Sequence, residues 1–151
     1  MKQKDKDRLR NDLVKYCNQI GIIDIPKLIL DRKEMHVILV NAGQPKRCAG
    51  WGQCFWSMQT IFIDAGIRIH YPSRKYKGWR NPDRELVKHK SKYIDFRNTL
   101  VHELVHYRWP KLRHGRRYEK RIYEILRGRT FNPIVESIEK KEYDGNLDSF
   151  L

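Results

Sequence analysis

The reading of this chain turns on the stretch Asp95-Phe-Arg-Asn-Thr-Leu-Val-His-Glu-Leu-Val-His-Tyr-Arg-Trp109. Asp95 offers a carboxylate that can cap a helix, and Pro110 stops any helix that reaches it, so a helix over about Asp95 to Trp109 is predicted. Within it lies His102-Glu103-Leu104-Val105-His106. Residues four apart share one helical face, so His102 and His106 aim two imidazoles at one place, with Glu103 beside the first. Two histidine ligands four apart, with a glutamate base directly after the first, is the spacing of zinc metallopeptidases, where the metal acidifies a bound water and the carboxylate takes its proton. Leu100, Val101, Leu104 and Val105 flank the histidine face, which predicts burial on more than one side. Polar groups on such a helix need partners, and metal coordination supplies them.

The chain of 151 residues fits one domain, expected over 1–128, with residues 129–151 as a C-terminal helix and tail. Lys and Arg number 32 against 18 Asp and Glu, a formal net charge of +14. Such a balance points to a polyanion, nucleic acid first, with a lysine-rich solubilising surface as the alternative. Cys17, Cys48 and Cys54 form no Cys-x-x-Cys pair, which argues against a disulfide framework and for a reducing compartment. The opening Met-Lys-Gln-Lys-Asp-Lys lacks the apolar core of a signal peptide, and no apolar run approaches the ~20 residues that span a bilayer. The expectation is no membrane and a cytoplasmic location, nucleoid-associated or nuclear by organism.

Apolar positions at Leu9, Leu13, Val14, Cys17 and Ile20 predict an N-terminal helix from about Lys6, stopped at Gly21. Met35 to Val40, Cys48 to Trp56 and Gln59 to Asp64 read as three strands. Gly50 and Gly52 mark a bend or a close backbone approach. Ile67 to Tyr71 alternates and reads as a fourth strand or a separate edge. His36 and His70 fall in these runs and are expected to be structural. The segment 72–93 is a basic insert with interleaved aromatics. Arg116 to Arg127 reads as a helix turning Tyr118, Ile122, Ile125 and Leu126 inward, and Asn132-Pro133 opens another to about Tyr143. The fold class expected is α+β, a small domain with an N-terminal helix, a three- to four-stranded sheet, the His-Glu-x-x-His helix and further helices.

A catalytic zinc takes three protein ligands and keeps one position open. His114, Glu119 and Glu124 are the downstream candidates. The metzincin extension is excluded, because Trp109 and Leu112 stand where it requires Gly and His. His114-Gly115-Arg-Arg-Tyr118 is more specific. A His-Glu-x-x-His helix, a short loop and His-Gly-x-x-aromatic together resemble the SprT/Spartan family of zinc metalloproteases and its WLM neighbours. Ala49-Gly-Trp-Gly-Gln-Cys54 followed by Thr60-Ile-Phe-Ile63 is similar to the strand pair that precedes the metal helix there. The resemblance covers roughly residues 48–126. It implies a zincin-like fold, Zn2+ held by His102, His106 and His114, Glu103 as catalytic base, and proteolysis of DNA-bound or crosslinked proteins in DNA repair. The chain departs from the family in having no cysteine after Cys54, hence no C-terminal zinc ribbon, and in its basic insert. The YgjP-like metal hydrolases share much of the arrangement.

Tyr118 and Arg117 are candidate oxyanion donors, Tyr118 weighing more as a packing residue. Candidate nucleic-acid contacts are Arg74, Lys75, Lys77, Trp79, Arg80, Lys88, Lys90 and Lys92 in the insert and Arg113 and Arg116 after the metal helix. Arg74 to Lys92 holds eight basic residues and two acidic, and Val105 to Arg127 again eight and two, so the charge is concentrated beside the metal helix. Aromatics among them can stack on unpaired bases, favouring single-stranded or damaged DNA as the partner. His89 reads as exposed or as a phosphate contact, Cys48 and Cys54 as buried thiols, and Trp51 and Trp56 as core or cleft wall. Three functions follow: a zinc metalloprotease acting on DNA-associated proteins; a His-Glu-x-x-His hydrolase of nucleotides or small phosphorylated substrates; or a nucleic-acid-binding module with structural zinc. Structural zinc usually takes four protein ligands and has no use for Glu103.

Overall fold

The computed structural model describes residues 1–48, 50–70 and 89–134. Arg74, Lys75, Lys77, Trp79, Arg80 and Lys88 lie outside the described residues, as does most of the helix expected from Asn132. Its first residues, Asn132 to Ile134, form no regular element. They run beside the end of the first helix, where the Ile134 amide donates to Gly21 O at 3.1 Å.

Helix α1, Gln3–Gln19, buries Leu9, Leu13, Tyr16 and Cys17 along one stripe, the spacing its sequence announces. It stops at Gly21, whose φ is +76° and where a Cβ would come within 2.2 Å of the Asn132 carbonyl oxygen. A left-handed backbone and no room for a side chain both require glycine there.

The sheet has three strands in the order β1 (Lys27–Ile29), β3 (Thr60–Ile63), β2 (Gly52–Phe55). β1 runs parallel to β3, pairing Leu28 with Ile61, and β2 runs antiparallel, pairing Cys54 with Ile61 and Gly52 with Ile63. All four residues of β3 are buried, as expected of a central strand covered on both faces. Ile61 and Ile63 join the main core with α1 and α3, whereas Phe62 points the other way into a smaller cluster with Ile29, Met35, Leu39 and Cys48.

The strand expected at Met35 to Val40 is instead helix α2, Arg32–Asn41. Asp31 caps it, its Oδ1 accepting from the amides of Lys33 at 2.7 Å and Glu34 at 3.1 Å. That cap outweighs the β propensity of a valine- and isoleucine-rich run. Only Met35 and Leu39 are buried in it, one turn apart, while Val37 and Val40 are exposed. His36 is therefore helical, not in a strand. The strand that completes the sheet, β1, follows Pro26 and is too short to carry a period. Ile69–His70 (β4) pairs antiparallel with His89–Lys90 (β5) in a sheet of its own, so this run is the separate edge and not a fourth strand of the main sheet.

Helix α3, Tyr93–Arg108, begins two residues before the expected start. Asp95 does not occupy the cap position. It sits in the first turn and its Oδ2 accepts the Lys92 amide at 2.7 Å. α3 packs on α1, on strands β2 and β3, and on helix α4, Arg116–Leu126. Leu100, Val101, Leu104 and Val105 are fully buried; burying each such side chain stabilises by about 1.5–3 kcal/mol. The Tyr93 hydroxyl donates to Asp12 of α1, and the Arg8 guanidinium lies 3.9 Å from the Tyr93 ring centre. Among the described residues no helix is long and apolar enough to cross a membrane.

Candidate metal centre

With its apolar flanks sunk in the core, α3 leaves His102 and His106 at the edge of the sheet, ring centres 5.0 Å apart. After Arg108 the chain turns at Pro110, and the Leu112 amide donates to Trp109 O at 3.0 Å. Leu112 is buried and anchors the loop in the core. That brings His114 back over the helix, its ring 5.0 Å from His102 and 4.7 Å from His106. Gly115, at φ +149°, lets the chain leave this position and start α4. Neither other third-ligand candidate joins the cluster: Glu119 is exposed on α4, and Glu124 pairs with Arg129.

One ligand atom from each of the three histidines lies within 4.8 Å of the others, close enough to bind a metal ion. Four-coordinate zinc with Zn–N bonds near 2.0–2.1 Å sets its nitrogens about 3.3 Å apart, a closure that side-chain torsions can supply. The Nε2 atoms of His106 and His114 already face each other at 2.8 Å. Burial, with the neighbouring His114 second, pushes the His102 pKa down to about 4. Burial first, then His102 and His114, does the same for His106, also to about 4. Both imidazoles are thus held neutral, the form that ligates metals. The donor set and its spacing fit a zinc-type ion.

Tyr118 forms the floor of the cluster. Its ring centre is 4.9 Å from His102, 4.7 Å from His106 and 4.9 Å from His114. It is buried, and its hydroxyl donates to the His102 carbonyl. In this arrangement the hydroxyl is bonded to the backbone of α3. Arg117 stands exposed on α4.

Glu103 is only 6 % exposed. Burial pushes its carboxyl up to about 7, and a dication held beside it would act in the opposite sense. Strand β2 crosses α3 here so closely that a Cβ on Gly52 would lie 2.8 Å from Thr99 Cγ2 and 3.2 Å from Glu103 Cγ. This is the close approach expected at Gly52. In the same strand, Cys54 is buried and its thiol is pushed up to about 12 by burial and then by Glu103. Cys48 is buried as well.

A cleft of about 580 Å³ opens beside His102 and Glu103, between Trp51 and Gly52 on one side and Asn98, Thr99 and Ile122 on the other. Trp51 is a wall of it, and at 44 % exposure is no core residue. The loop before β2 is clamped by Arg32, which donates to the Cys48 carbonyl, to Gly50 O at 2.9 Å and to Asp64 Oδ2 at 2.9 Å. Arg68 also pairs with Asp64. Burial alone would raise the Asp64 pKa, but hydrogen bonds from Arg32, the Gly66 amide and Arg68 overcome it and hold the carboxyl below its ordinary value. Arg68 is four residues from Asp64, but Arg32 stands 32 positions away and meets them only in the folded chain.

Of the nucleic-acid candidates that can be placed, Lys90, Lys92, Arg113 and Arg116 are all exposed. Arg113 adjoins the third histidine and Arg116 opens α4. A stripe not singled out from sequence continues from there: Arg116, Lys120, Tyr123 and Arg127 recur at helical spacing and are all exposed. The Arg127 guanidinium lies 4.4 Å from the Tyr123 ring centre. His89, half-exposed, faces Asp95 at 3.3 Å.

No family model matches the chain, and neither a curated protein nor a solved structure matches it.

Proposed function

We propose that this chain is a zinc metallopeptidase of SprT-like, zincin-type character that acts on proteins associated with DNA. The observation that carries the reading is the convergence of His102, His106 and His114 on one point, with buried Glu103 beside them at the head of the cleft. Zinc held by the three histidines supplies Lewis acidity and a water whose pKa is lowered to about 7. The chain's own residues do the rest. Glu103 takes the proton of the attacking water on its carboxylate and returns it to the leaving nitrogen. Trp51 and Ile122 flank the chain entering the cleft, and the Arg32 clamp holds the Trp51 wall. Tyr118 keeps the His102 turn in place from below.

Three histidines with a glutamate at hand suit a site with an open position better than a structural zinc. The described lining of the cleft carries the carboxylates of Asp95 and Glu103 and no Lys or Arg. A nucleotide or other phosphorylated substrate would want cations there, so the peptidase reading is preferred to the nucleotide hydrolase. The DNA association rests on the family resemblance, on the +14 charge, and on the basic and aromatic stripe that runs along α4 from beside His114.

The test compares wild type with Glu103→Gln on a basic protein bound to single-stranded DNA, with zinc content measured for both and for His114→Ala. Zinc retained by Glu103→Gln, hydrolysis reduced by about 10²–10⁴-fold, and zinc lost from His114→Ala is the expected pattern. Equal cleavage by wild type and Glu103→Gln would refute the mechanism, and full zinc loading of His114→Ala would refute the ligand set.

A further inference from the structure

We infer that Trp56 is a positioning residue for the metal centre: its indole N–H fixes the last turn of α3 and with it the ligand His106. The inference rests on the metal reading of the three histidines. A helix leaves its final carbonyls without intrahelical donors. The His106 carbonyl would normally accept from the amide of residue 110, but Pro110 has none. Trp56 Nε1 takes that role, donating to His106 O at 2.8 Å.

The donor is well founded. Trp56 opens a tight 3-10 turn, Trp56–Met58, between the paired strands β2 and β3. The turn closes with Gln59 in the left-handed region at φ 47°, and the Gln59 carbonyl accepts the Lys27 amide of β1 at 2.9 Å. The indole is therefore carried by the sheet and not by a free loop. Its ring stands edge-on to the His106 imidazole, 6.2 Å between centres at 82°. It is also 47 % exposed, so burial alone does not account for its placement. The carbonyl of the other helical ligand, His102, accepts from the Tyr118 hydroxyl. Both ligands on α3 thus have their main chain tied by a donor from another element, one from the sheet and one from α4. The direction of an imidazole follows from its backbone, so loss of the Trp56 donor would let the His106 turn fray and open the ligand set.

The test uses Trp56→Phe, which keeps an aromatic ring and removes the N–H. Zinc affinity is read by competition with a chromophoric chelator, and amide hydrogen exchange over the last turn of α3 is read in the metal-free protein. Loss of a group that orients a metal ligand lowers affinity by about 10–100-fold, and that weakening is expected, together with faster exchange in this turn. Affinity and exchange indistinguishable from wild type in Trp56→Phe would overturn the inference. Weakened binding with unchanged exchange in the last turn of α3 would assign the effect to ring packing and overturn it as well. A wild type that takes up no zinc would instead refute the metal reading itself, a result separate from either.

Discussion

Gly52→Ala places one methyl group where strand β2 crosses the metal helix. That methyl would lie 2.8 Å from Thr99 Cγ2, 3.1 Å from Phe62 O and 3.2 Å from Glu103 Cγ. Carbon atoms in contact prefer about 3.5–4.0 Å, so the closest pair must separate by roughly 1 Å. Thr99 has little freedom to yield, because it is β-branched and its hydroxyl donates to the Asp95 carbonyl at 2.9 Å. The Phe62 carbonyl belongs to the central strand and cannot move alone. The strand must therefore lift from the helix, at an overpacking cost of about 1–3 kcal/mol. Urea denaturation reads this cost. Glu103 stays on the helix and loses the strand that packs on it, while no histidine is among the three atoms nearest the new methyl, so turnover falls and zinc content holds. The double variant Gly52→Ala/Thr99→Ser removes the nearest methyl and keeps the hydroxyl bond, and it recovers part of the stability. Wild-type stability and turnover in Gly52→Ala would refute the close crossing, and so would a Thr99→Ser partner that restores nothing.

Two further predictions concern charge. Asp64 has a folded pKa held below its ordinary value of 3.8, so its ion pairs contribute stability that is present above that value and lost as pH falls through the folded pKa. Asp64→Asn is expected to flatten the dependence of urea-unfolding stability on pH across this acid window and to loosen the loop before β2. An unchanged acid slope would count against the Arg32–Asp64–Arg68 cluster. On α4, reversing Arg116 and Lys120 to Glu is expected to weaken single-stranded DNA binding. Each phosphate contact removed should reduce the slope of log affinity against log salt by about 0.7. A slope equal to that of wild type would remove α4 from the DNA-facing surface.

Helices α1 and α4 were legible in the sequence because their apolar residues recur at the helical period over more than two turns. α2 was misread because the run Met35 to Val40 holds a single polar residue, His36, too little to reveal its period, and the decisive signal was the side chain of Asp31 just before it. β1 escaped because three residues carry no pattern.

The metal centre divides in the same way. Spacing along the chain alone placed His102, Glu103 and His106 together, since four residues make about one turn of a helix. Likeness of the His114-Gly115 motif, and no local rule, suggested the third ligand. Only the tertiary structure showed His114 folded back by buried Leu112, Gly52 pressed against Glu103, and the Trp56 indole at the His106 carbonyl. The reason is physical. Periodicity is a property of neighbours along the chain, whereas contacts between residues fifty positions apart, such as Trp56 and His106, exist only once the strands have paired and the helix has settled on them.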